Sequence, residues 1–167
     1  MTGDDISAVP NNNRVVAEAR RWLGTPYLHQ ACCRGAGCDC LGLIRGIWRE
    51  LFASEPEDPP AYSMDWSEPQ GEERLWQAAL THLVAKPVGA AAPGDVLLFR
   101  MRAGAVAKHL GVQSRLGRGD RPMGGIGGGV GAGFIHAYCG HGVVESALTP
   151  PWQRRIVARF SFPEEQI

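Results

Sequence analysis

The chain has 167 residues, the size of one domain with an ordinary hydrophobic core. Its 17 basic and 17 acidic residues cancel, so no overall charge attracts nucleic acid or an acidic membrane surface. The sequence has no run of about 18 apolar residues, so membrane insertion is not expected.

The N-terminal half of the sequence predicts helices separated by loops. Residues 1–12 are polar without a period, and we expect a flexible arm that precedes a single domain over 13–163. Apolar residues at helical spacing predict a first helix over 13–23, which Gly24 ends. The same spacing predicts a third helix over 72–83.

A glycine-rich turn leads into the second predicted helix, which begins at Cys40. The apolar residues that follow form a broad face, which is typical of a core helix. Gly42 and Gly46 lie one turn apart and would let another element approach closely. Unpaired amide N–H groups and the positive end of the helix dipole are expected to favour a thiolate at Cys40. The pattern therefore predicts a nucleophilic cysteine.

From residue 93 onward the sequence changes to short apolar or alternating runs bounded by glycine, which are typical of strands. The predicted strands cover residues 96–99, 106–113, 134–139, 143–148 and 155–162. Because helices come first and strands afterwards, we expect an α+β fold with an antiparallel sheet of about five strands and helices on one side. Residues 116–133 hold nine glycines and are interpreted as a flexible insert between two strands.

Two histidines occupy alternating positions in the strands that this insert joins. Ala107 and Gly111 are the neighbours of His109 on its face of the strand, and their small size leaves space above the imidazole. If the strands pair antiparallel, His136 stands beside His109 on one face, at about 5 Å between Cβ atoms. His109 is then the candidate base for Cys40, and His136 is the candidate group that orients the base.

Alternative interpretations apply to each of these residues. Four of the five cysteines lie within nine positions: Cys32, Cys33, Cys38 and Cys40. Structural zinc usually takes two separated cysteine pairs at two-to-four-residue spacing, and the sequence has no matching distal pair, so reduced thiols are favoured over a metal site. Taken alone, each histidine could be a strand residue satisfied by a local hydrogen bond, and Cys40 could be an inert buried thiol.

Five motifs in order resemble those of the NlpC-type cell-wall cysteine peptidases. They are Gly24-Thr25-Pro26-Tyr27, Asp39-Cys40-Leu41-Gly42-Leu43, Pro93-Gly94-Asp95-Val96, His109-Leu110-Gly111-Val112 and Phe134-Ile135-His136-Ala137. The resemblance spans residues 15–148, nearly the whole domain. The variant Thr-Pro-Tyr-x-His-Gln, followed by Gly-Cys-Asp-Cys-Leu-Gly-Leu, is most similar to the branch encoded in tail gene clusters of phages and gene transfer agents.

The resemblance implies a papain-like fold in which the cysteine helix packs against an antiparallel sheet. It implies that Cys40 is the nucleophile, His109 the base and His136 the orienting third member. Tyr27 matches the active-site tyrosine of the family, and Asp39 matches the acid that helps to bind the substrate amine. The activity implied is hydrolysis of amide bonds in peptidoglycan stem peptides, with no cofactor and no metal.

The sequence departs from the common family pattern in three ways. Leu41 stands where most members have serine, the insert 116–133 is longer than the usual strand connection, and no cell-wall-binding repeat is present. The N-terminus lacks the basic and apolar blocks of a secretory signal. We therefore expect a protein made in the cytoplasm and assembled with other tail or hub proteins into a phage-like tail, acting in the periplasm of the target cell.

Two other functions remain open at this point. The chain could be a structural tail-hub or tail-tip protein whose peptidase activity is reduced or lost. The same residues could also carry out acyl transfer or amidase chemistry on another substrate, because one fold hosts several chemistries.

Overall fold

The computed structural model describes residues 11–56, 71–118 and 131–164. Within them the helices are α1 (Asn11–Arg21), α2 (Cys40–Phe52), α3 (Arg74–His82) and α4 (Pro150–Arg155). The strands are β1 (Cys32–Cys33), β2 (Gly37–Cys38), β3 (Val84–Lys86), β4 (Val96–Phe99), β5 (His109–Arg115), β6 (Gly133–Tyr138), β7 (Gly142–Ala147) and β8 (Ile156–Ser161). Residues 1–10 of the expected arm and residues 119–130 of the expected insert lie outside the described residues.

The main sheet of the described chain has six strands in the order β3-β8-β4-β5-β6-β7. Every neighbouring pair is antiparallel. β5 and β6, the strands on either side of the glycine-rich insert, pair with Val112 opposite Ile135. The α+β class, the antiparallel sheet and the pairing of these two strands are therefore confirmed.

Several elements differ from the sequence prediction. α1 begins at Asn11, so the end of the predicted arm belongs to the helix, and β5 begins at His109 rather than at residue 106. The hairpin of β1 and β2, the edge strand β3 and the helix α4 were not predicted. The paired strands β1 and β2 have two residues each and β3 has three, which is too short for a periodic pattern to show. α4 starts with two prolines, which fit the first turn of a helix but read as a loop in sequence.

The helix α2 packs closely against the segments that follow α1 through two glycines. A Cβ atom added at Gly46 would lie 2.0 Å from Cζ2 of Trp22, and one added at Gly42 would lie 1.8 Å from the carbonyl oxygen of Ala31. Trp22 is 2% exposed, so it has no free space into which to move. The close approach predicted at these two glycines is confirmed, and it brings α2 against Trp22 and the residue that precedes β1.

One face of the sheet carries a second, smaller apolar cluster. Its buried members are Leu97, Phe99, Ala132, Phe134 and Leu148, and Trp152 of α4 packs against them. Because side chains alternate along a strand, β4, β5 and β6 supply residues to both faces. Among the helices described in the structure, none has the length and apolar composition needed to cross a bilayer.

A buried ionic network joins four strands of the sheet. Asp95 is fully buried, and its Oδ2 accepts a hydrogen bond from Nη1 of Arg159 at 2.9 Å. Lys86 Nζ donates to Oδ1 of the same carboxylate at 2.8 Å. Arg159 Nη1 also donates to Oε1 of Gln113 at 2.5 Å. Asp95, a residue of the third motif, therefore links β3, β5 and β8 at the start of β4.

The contact between Gly46 and Trp22 makes a testable prediction about stability. Replacing Gly46 with alanine should lower the free energy of unfolding by about 1–3 kcal/mol, because the clash outweighs the gain of about 1 kcal/mol that alanine gives in a helix. Gly89→Ala is the matched control, since a Cβ atom there meets nothing within 4 Å and the residue is exposed. Urea denaturation measures both variants. Equal stabilities of Gly46→Ala and the control would contradict the packing described.

Candidate active site

The side chain of Asp39 fixes the turn that presents Cys40. Asp39 is the N-cap of α2, and its Oδ1 accepts the backbone N–H of Gly42 at 2.7 Å. Its Oδ2 accepts the backbone N–H of Gln30 at 2.8 Å, which ties the preceding loop to the same turn. Asp39 is 2% exposed. These bonds satisfy donors that a helix start otherwise leaves unpaired, and they set Cys40 as the first residue of α2.

The sulfur of Cys40 lies against the backbone at the beginning of β5. Its Sγ donates to the carbonyl oxygen of Lys108 at 3.6 Å. The backbone N–H of Leu110 also interacts with this sulfur and lowers its pKa. Lys108 and Leu110 are the two chain neighbours of His109. The structure therefore brings Cys40 next to the strand position that carries His109.

His109 and His136 form a direct side-chain contact. Nε2 of His109 lies 2.8 Å from Nδ1 of His136, and the two rings meet edge to face at 78°. The register that places Val112 opposite Ile135 puts Gly111 opposite His136, so the two histidines are diagonal neighbours on one face. The expected sharing of a face is confirmed, but the residue directly opposite His136 is Gly111.

Ser146 contacts the far side of His136 and was not found from the sequence. Its Oγ lies 3.0 Å from Nε2 of His136. Ser146 pairs with Phe134 in the ladder between β6 and β7. Because Phe134 and His136 are two residues apart in β6, Ser146 lies on the same face of the sheet as His136. The available signal was a hydroxyl residue at an alternating position in the strand beside His136, and the sequence prediction did not use it.

Aromatic side chains enclose the two histidines. The ring centroids of Phe134 and His136 are 4.2 Å apart, and the ring of Tyr138 stacks on that of His136 with a centroid distance of 5.2 Å. Trp152 of α4 lies 5.8 Å from His109 and 5.3 Å from His136. His136 has no exposed surface and His109 is 9% exposed. Because α4 was not predicted, the contribution of Trp152 to this enclosure could not be anticipated.

Burial keeps both imidazoles neutral. Burial, with a smaller contribution from His136, lowers the pKa of His109 to about 3. Burial likewise lowers the pKa of His136 to about 4, with a smaller effect from the charge of His141. At neutral pH each ring therefore carries one proton and one lone pair.

The thiol of Cys40 is also neutral in the resting site. Burial, with a smaller contribution from the carboxylate of Asp39, raises the pKa of Cys40 to about 12. The backbone N–H groups of Leu110, Leu41 and Cys40 itself lower the pKa, but they do not outweigh these two effects. The thiolate expected from the helix start is therefore wrong for the resting state, because desolvation of the charge dominates.

Tyr27 lies on the same side of the site as Cys40. Tyr27 forms an isolated parallel bridge with Cys38, two residues before Cys40. Burial raises the pKa of the Tyr27 hydroxyl, and the charges of Cys40 and Asp39 raise it further. The hydroxyl therefore stays protonated and can donate a hydrogen bond. The structure thus places Tyr27 and Asp39 near Cys40 and pairs His109 with His136, and the contacts of Cys40 with the strand that carries His109 are to the backbone of Lys108 and Leu110.

The cysteines and acidic residues described in the structure form no metal site. No group of three or more histidine, cysteine, aspartate or glutamate side chains within the described ranges could hold a metal ion. All five cysteines are free thiols, and Cys33 and Cys139 are exposed.

Comparisons with known proteins support the fold assignment. No protein-family model matches the chain, and no curated protein matches it. Among solved structures, the NlpC/p60 domain of the peptidoglycan hydrolase SagA is similar with a TM-score of 0.56 and 22% identity. That similarity covers 91% of this chain and 99% of the SagA domain.

Two longer proteins contain a similar domain. A protein similar to a lipoprotein of the NLP/P60 family, from Staphylococcus aureus subsp. aureus Mu50, has a TM-score of 0.57 and 16% identity. An NlpC/P60 family protein from Bacillus cereus ATCC 10987 has a TM-score of 0.58 and 18% identity. The similarities cover 99% and 92% of this chain, but the chain spans 46% and 40% of those proteins. The chain therefore has the papain-like fold of NlpC/p60 domains.

The two depressed histidine pKa values predict that stability falls as the pH drops from 7 to 4. Unfolded histidine binds a proton near pH 6.5, whereas folded His136 and His109 do so only near pH 4 and pH 3. Below pH 6.5 the unfolded state therefore binds more protons, and each histidine lowers the free energy of unfolding by about 1.4 kcal/mol per pH unit.

The variant His136→Gln removes one of the two contributions. Its stability should fall less steeply than that of the unmodified protein between pH 6.5 and pH 4, by about 1.4 kcal/mol per pH unit. Urea denaturation across this range measures both slopes. Above pH 7.5 the two stability curves should run parallel, which provides the internal control. Identical slopes below pH 6.5 would show that burial does not keep His136 neutral.

Proposed function

We propose that the protein is a cysteine peptidase that hydrolyses amide bonds in peptidoglycan stem peptides. Cys40 is the nucleophile, His109 is the base, and His136 orients the base. The observation that carries this proposal is the 2.8 Å contact between the two histidines, next to the strand backbone that the Cys40 sulfur touches. The substrate class is supported by the shared fold with the NlpC/p60 domain of a peptidoglycan hydrolase.

The histidine contacts allow two arrangements of protons. In the first, His109 donates from Nε2 to Nδ1 of His136, and His136 donates from Nε2 to Oγ of Ser146. In the second, Nδ1 of His136 donates to Nε2 of His109, and the hydroxyl of Ser146 donates to Nε2 of His136. The proton of His109 is then on its Nδ1. Only the first leaves a lone pair on Nδ1 of His109, the nitrogen that does not contact His136. A base for Cys40 requires this first arrangement.

The reaction begins from a neutral thiol and a neutral imidazole. The S–H group of Cys40 turns from the carbonyl of Lys108 and gives its proton to Nδ1 of His109 as the sulfur attacks the substrate carbonyl. The imidazolium then protonates the leaving amine, and a water molecule hydrolyses the thioester. His136 accepts a stronger hydrogen bond from the charged ring of His109, which stabilises the imidazolium. Backbone N–H groups at the start of α2 stabilise the oxyanion, and one such donor is typically worth about 3 kcal/mol.

Tyr27 and Asp39 are the proposed substrate-binding residues. The carboxylate of Asp39 offers a negative charge to the amine of the stem peptide, although both its oxygens also accept backbone N–H groups. The protonated hydroxyl of Tyr27 can donate to a substrate oxygen. Leu41 replaces the serine of most family members, so this side of the site offers apolar contact where the family has a hydroxyl.

The proposed setting is a phage-like tail. The protein would be made in the cytoplasm, assembled with other tail or hub proteins, and would cleave peptidoglycan in the periplasm of the target cell during DNA delivery. This part of the proposal depends on the resemblance of the motifs around Tyr27 and Cys40 to those of tail gene clusters.

A second candidate function is a structural tail-hub or tail-tip protein with reduced or lost activity. The raised pKa of Cys40 favours it, because a resting site of this kind holds almost no thiolate at neutral pH. The two candidates make opposite predictions about turnover of the substrate.

Hydrolysis of purified muropeptides, in reducing buffer and followed by mass spectrometry, tests the proposed activity. Cys40→Ala should lower the rate at least about 1000-fold, and His109→Gln should lower it at least about 100-fold. Cys33→Ala is the matched control, because Cys33 is an exposed cysteine in the adjacent hairpin, and its rate should be unchanged. Absent turnover by the unmodified protein would favour the structural candidate.

Ser146 is predicted to act on the reaction through His136. Ser146→Ala should lower kcat about fivefold, because the loss of one hydrogen bond to His136 costs about 1 kcal/mol of orientation. Ser146→Thr keeps the hydroxyl group and should restore most of the rate. Steady-state kinetics on the same muropeptides separate kcat from KM, and KM should stay unchanged. A change confined to KM would assign Ser146 to substrate binding instead.

A further inference from the structure

We propose that Cys32 and Cys38 are a redox pair that closes a reversible disulfide across the hairpin of β1 and β2. The two residues stand directly opposite each other in the antiparallel register of this hairpin. Both are free thiols in the structure. The hairpin ends one residue before Asp39, so the proposed modification site lies next to the candidate active site.

The backbone hydrogen bonds show which kind of pair these cysteines form. The N–H of Cys38 donates to the carbonyl oxygen of Pro26, and the carbonyl oxygen of Cys38 accepts from the N–H of Leu28, both at 3.0 Å. The polar backbone groups of Cys38 therefore point away from Cys32. At the adjacent position the N–H of Asp39 donates to the carbonyl oxygen of Ala31 at 3.2 Å. Cys32 and Cys38 are thus a non-hydrogen-bonded pair between two hydrogen-bonded positions.

A non-hydrogen-bonded pair has the geometry that a disulfide needs. Its Cα atoms are about 4.5 Å apart and its side chains lie on the same face. Disulfides form at Cα separations of about 4.4–6.8 Å, so the sulfurs of Cys32 and Cys38 can bond without movement of the backbone. The charge of Cys32 also acts on the thiol of Cys38, which is consistent with neighbouring sulfurs.

The other cysteines do not have such a partner. Cys33 stands opposite Gly37, and its sulfur contacts the carbonyl oxygen of Arg34. The sulfur of Cys40 contacts the carbonyl oxygen of Lys108, just before β5, and Cys139 follows β6. In the described hairpin the register therefore selects Cys32 and Cys38 among the four crowded cysteines.

The two cysteines differ in access, which sets the order of reaction. Cys32 is partly exposed, and Arg49 donates from Nη1 to its sulfur at 3.1 Å and from Nη2 to its carbonyl oxygen. Cys38 is fully buried, and burial raises the pKa of its thiol to about 12. An oxidant in solution therefore meets the sulfur of Cys32 first, and Cys38 resolves the intermediate.

The oxidant is a low-molecular-weight disulfide, for which oxidised glutathione is the probe. The sulfur of Cys32, as a thiolate, attacks one sulfur of the probe and releases the first glutathione thiol. The sulfur of Cys38 then attacks the sulfur of Cys32, breaks the mixed disulfide and releases the second glutathione thiol. Two electrons pass from the cysteine pair to the probe, and the two S–H protons end on the two released thiols.

The pairing has a consequence for Cys40 that does not depend on any enzymatic activity. With Cys38 bonded to Cys32, the nearest cysteine along the chain cannot form a disulfide with Cys40. In oxidising surroundings, the proposed bond therefore leaves the thiol of Cys40 free. It also cross-links the two strands of the hairpin that precedes Asp39.

Peptide mapping of the folded, full-length protein tests the pairing. The protein is equilibrated with oxidised glutathione and quenched with acid, its free thiols are alkylated with a maleimide in denaturant, and the chain is cut with trypsin and an aspartate-directed protease. These cuts place Cys32 in peptide 22–34, Cys38 in peptide 35–38 and Cys40 in peptide 39–45. Cys33→Ala protein should give the disulfide-linked peptides 22–34 and 35–38, with Cys40 alkylated.

Cys32→Ala is the matched variant, because it keeps Cys33 in the same peptide. It should lose the linked peptides completely and leave Cys38 without an intramolecular disulfide. Linked peptides that persist in Cys32→Ala would assign the bond to Cys33 and overturn the proposal. A link between peptides 35–38 and 39–45, or an alkylated Cys38 in oxidised Cys33→Ala protein, would overturn it as well. None of these readouts involves hydrolysis, so they are independent of the proposed peptidase function.

Discussion

The hydrogen bond between the rings of His109 and His136 is the interaction on which the candidate site depends. It requires the antiparallel pairing of β5 with β6, because only this register sets the two side chains diagonally on one face. A glycine at position 111 fits this arrangement, since a Cβ atom there would lie 3.0 Å from the ring of Phe134 and 3.4 Å from Cβ of His136. The glycine of the His-Leu-Gly-Val motif therefore serves the geometry of the histidine pair.

The second requirement is that Cys40 reaches the beginning of β5. The caps made by Asp39 fix the start of α2, and the glycines of that helix bring it close to its neighbours. The same burial that orders these groups removes water from the thiol and from both imidazoles. Burial therefore disfavours a thiolate and an imidazolium in the resting site.

Part of the fold and of the site could be predicted from the sequence. Periodicity gave the three long helices and the central strands, and the placement of Cys40, His109 and His136 followed from their positions within these elements. The β1-β2 hairpin and α4 escaped prediction because short strands and a proline-led helix depend on tertiary pairing, which periodicity does not report. Ser146 and Trp152 escaped for the same reason. The protonation state of Cys40 was wrong because the sequence shows the helix start but not the degree of desolvation.

The protonation of the two imidazoles is the quantity that tests these ideas most directly, and nitrogen-15 NMR of the histidine side chains measures it. The unmodified protein and His136→Gln give the assignments. At pH 6, both His109 and His136 should be neutral, with the proton of each ring on Nε2, because burial depresses both pKa values and the contacts run from His109 through His136 to Ser146. A doubly protonated ring at pH 6, or a proton on Nδ1 of His109, would contradict the proposed role of His109 as the base for Cys40.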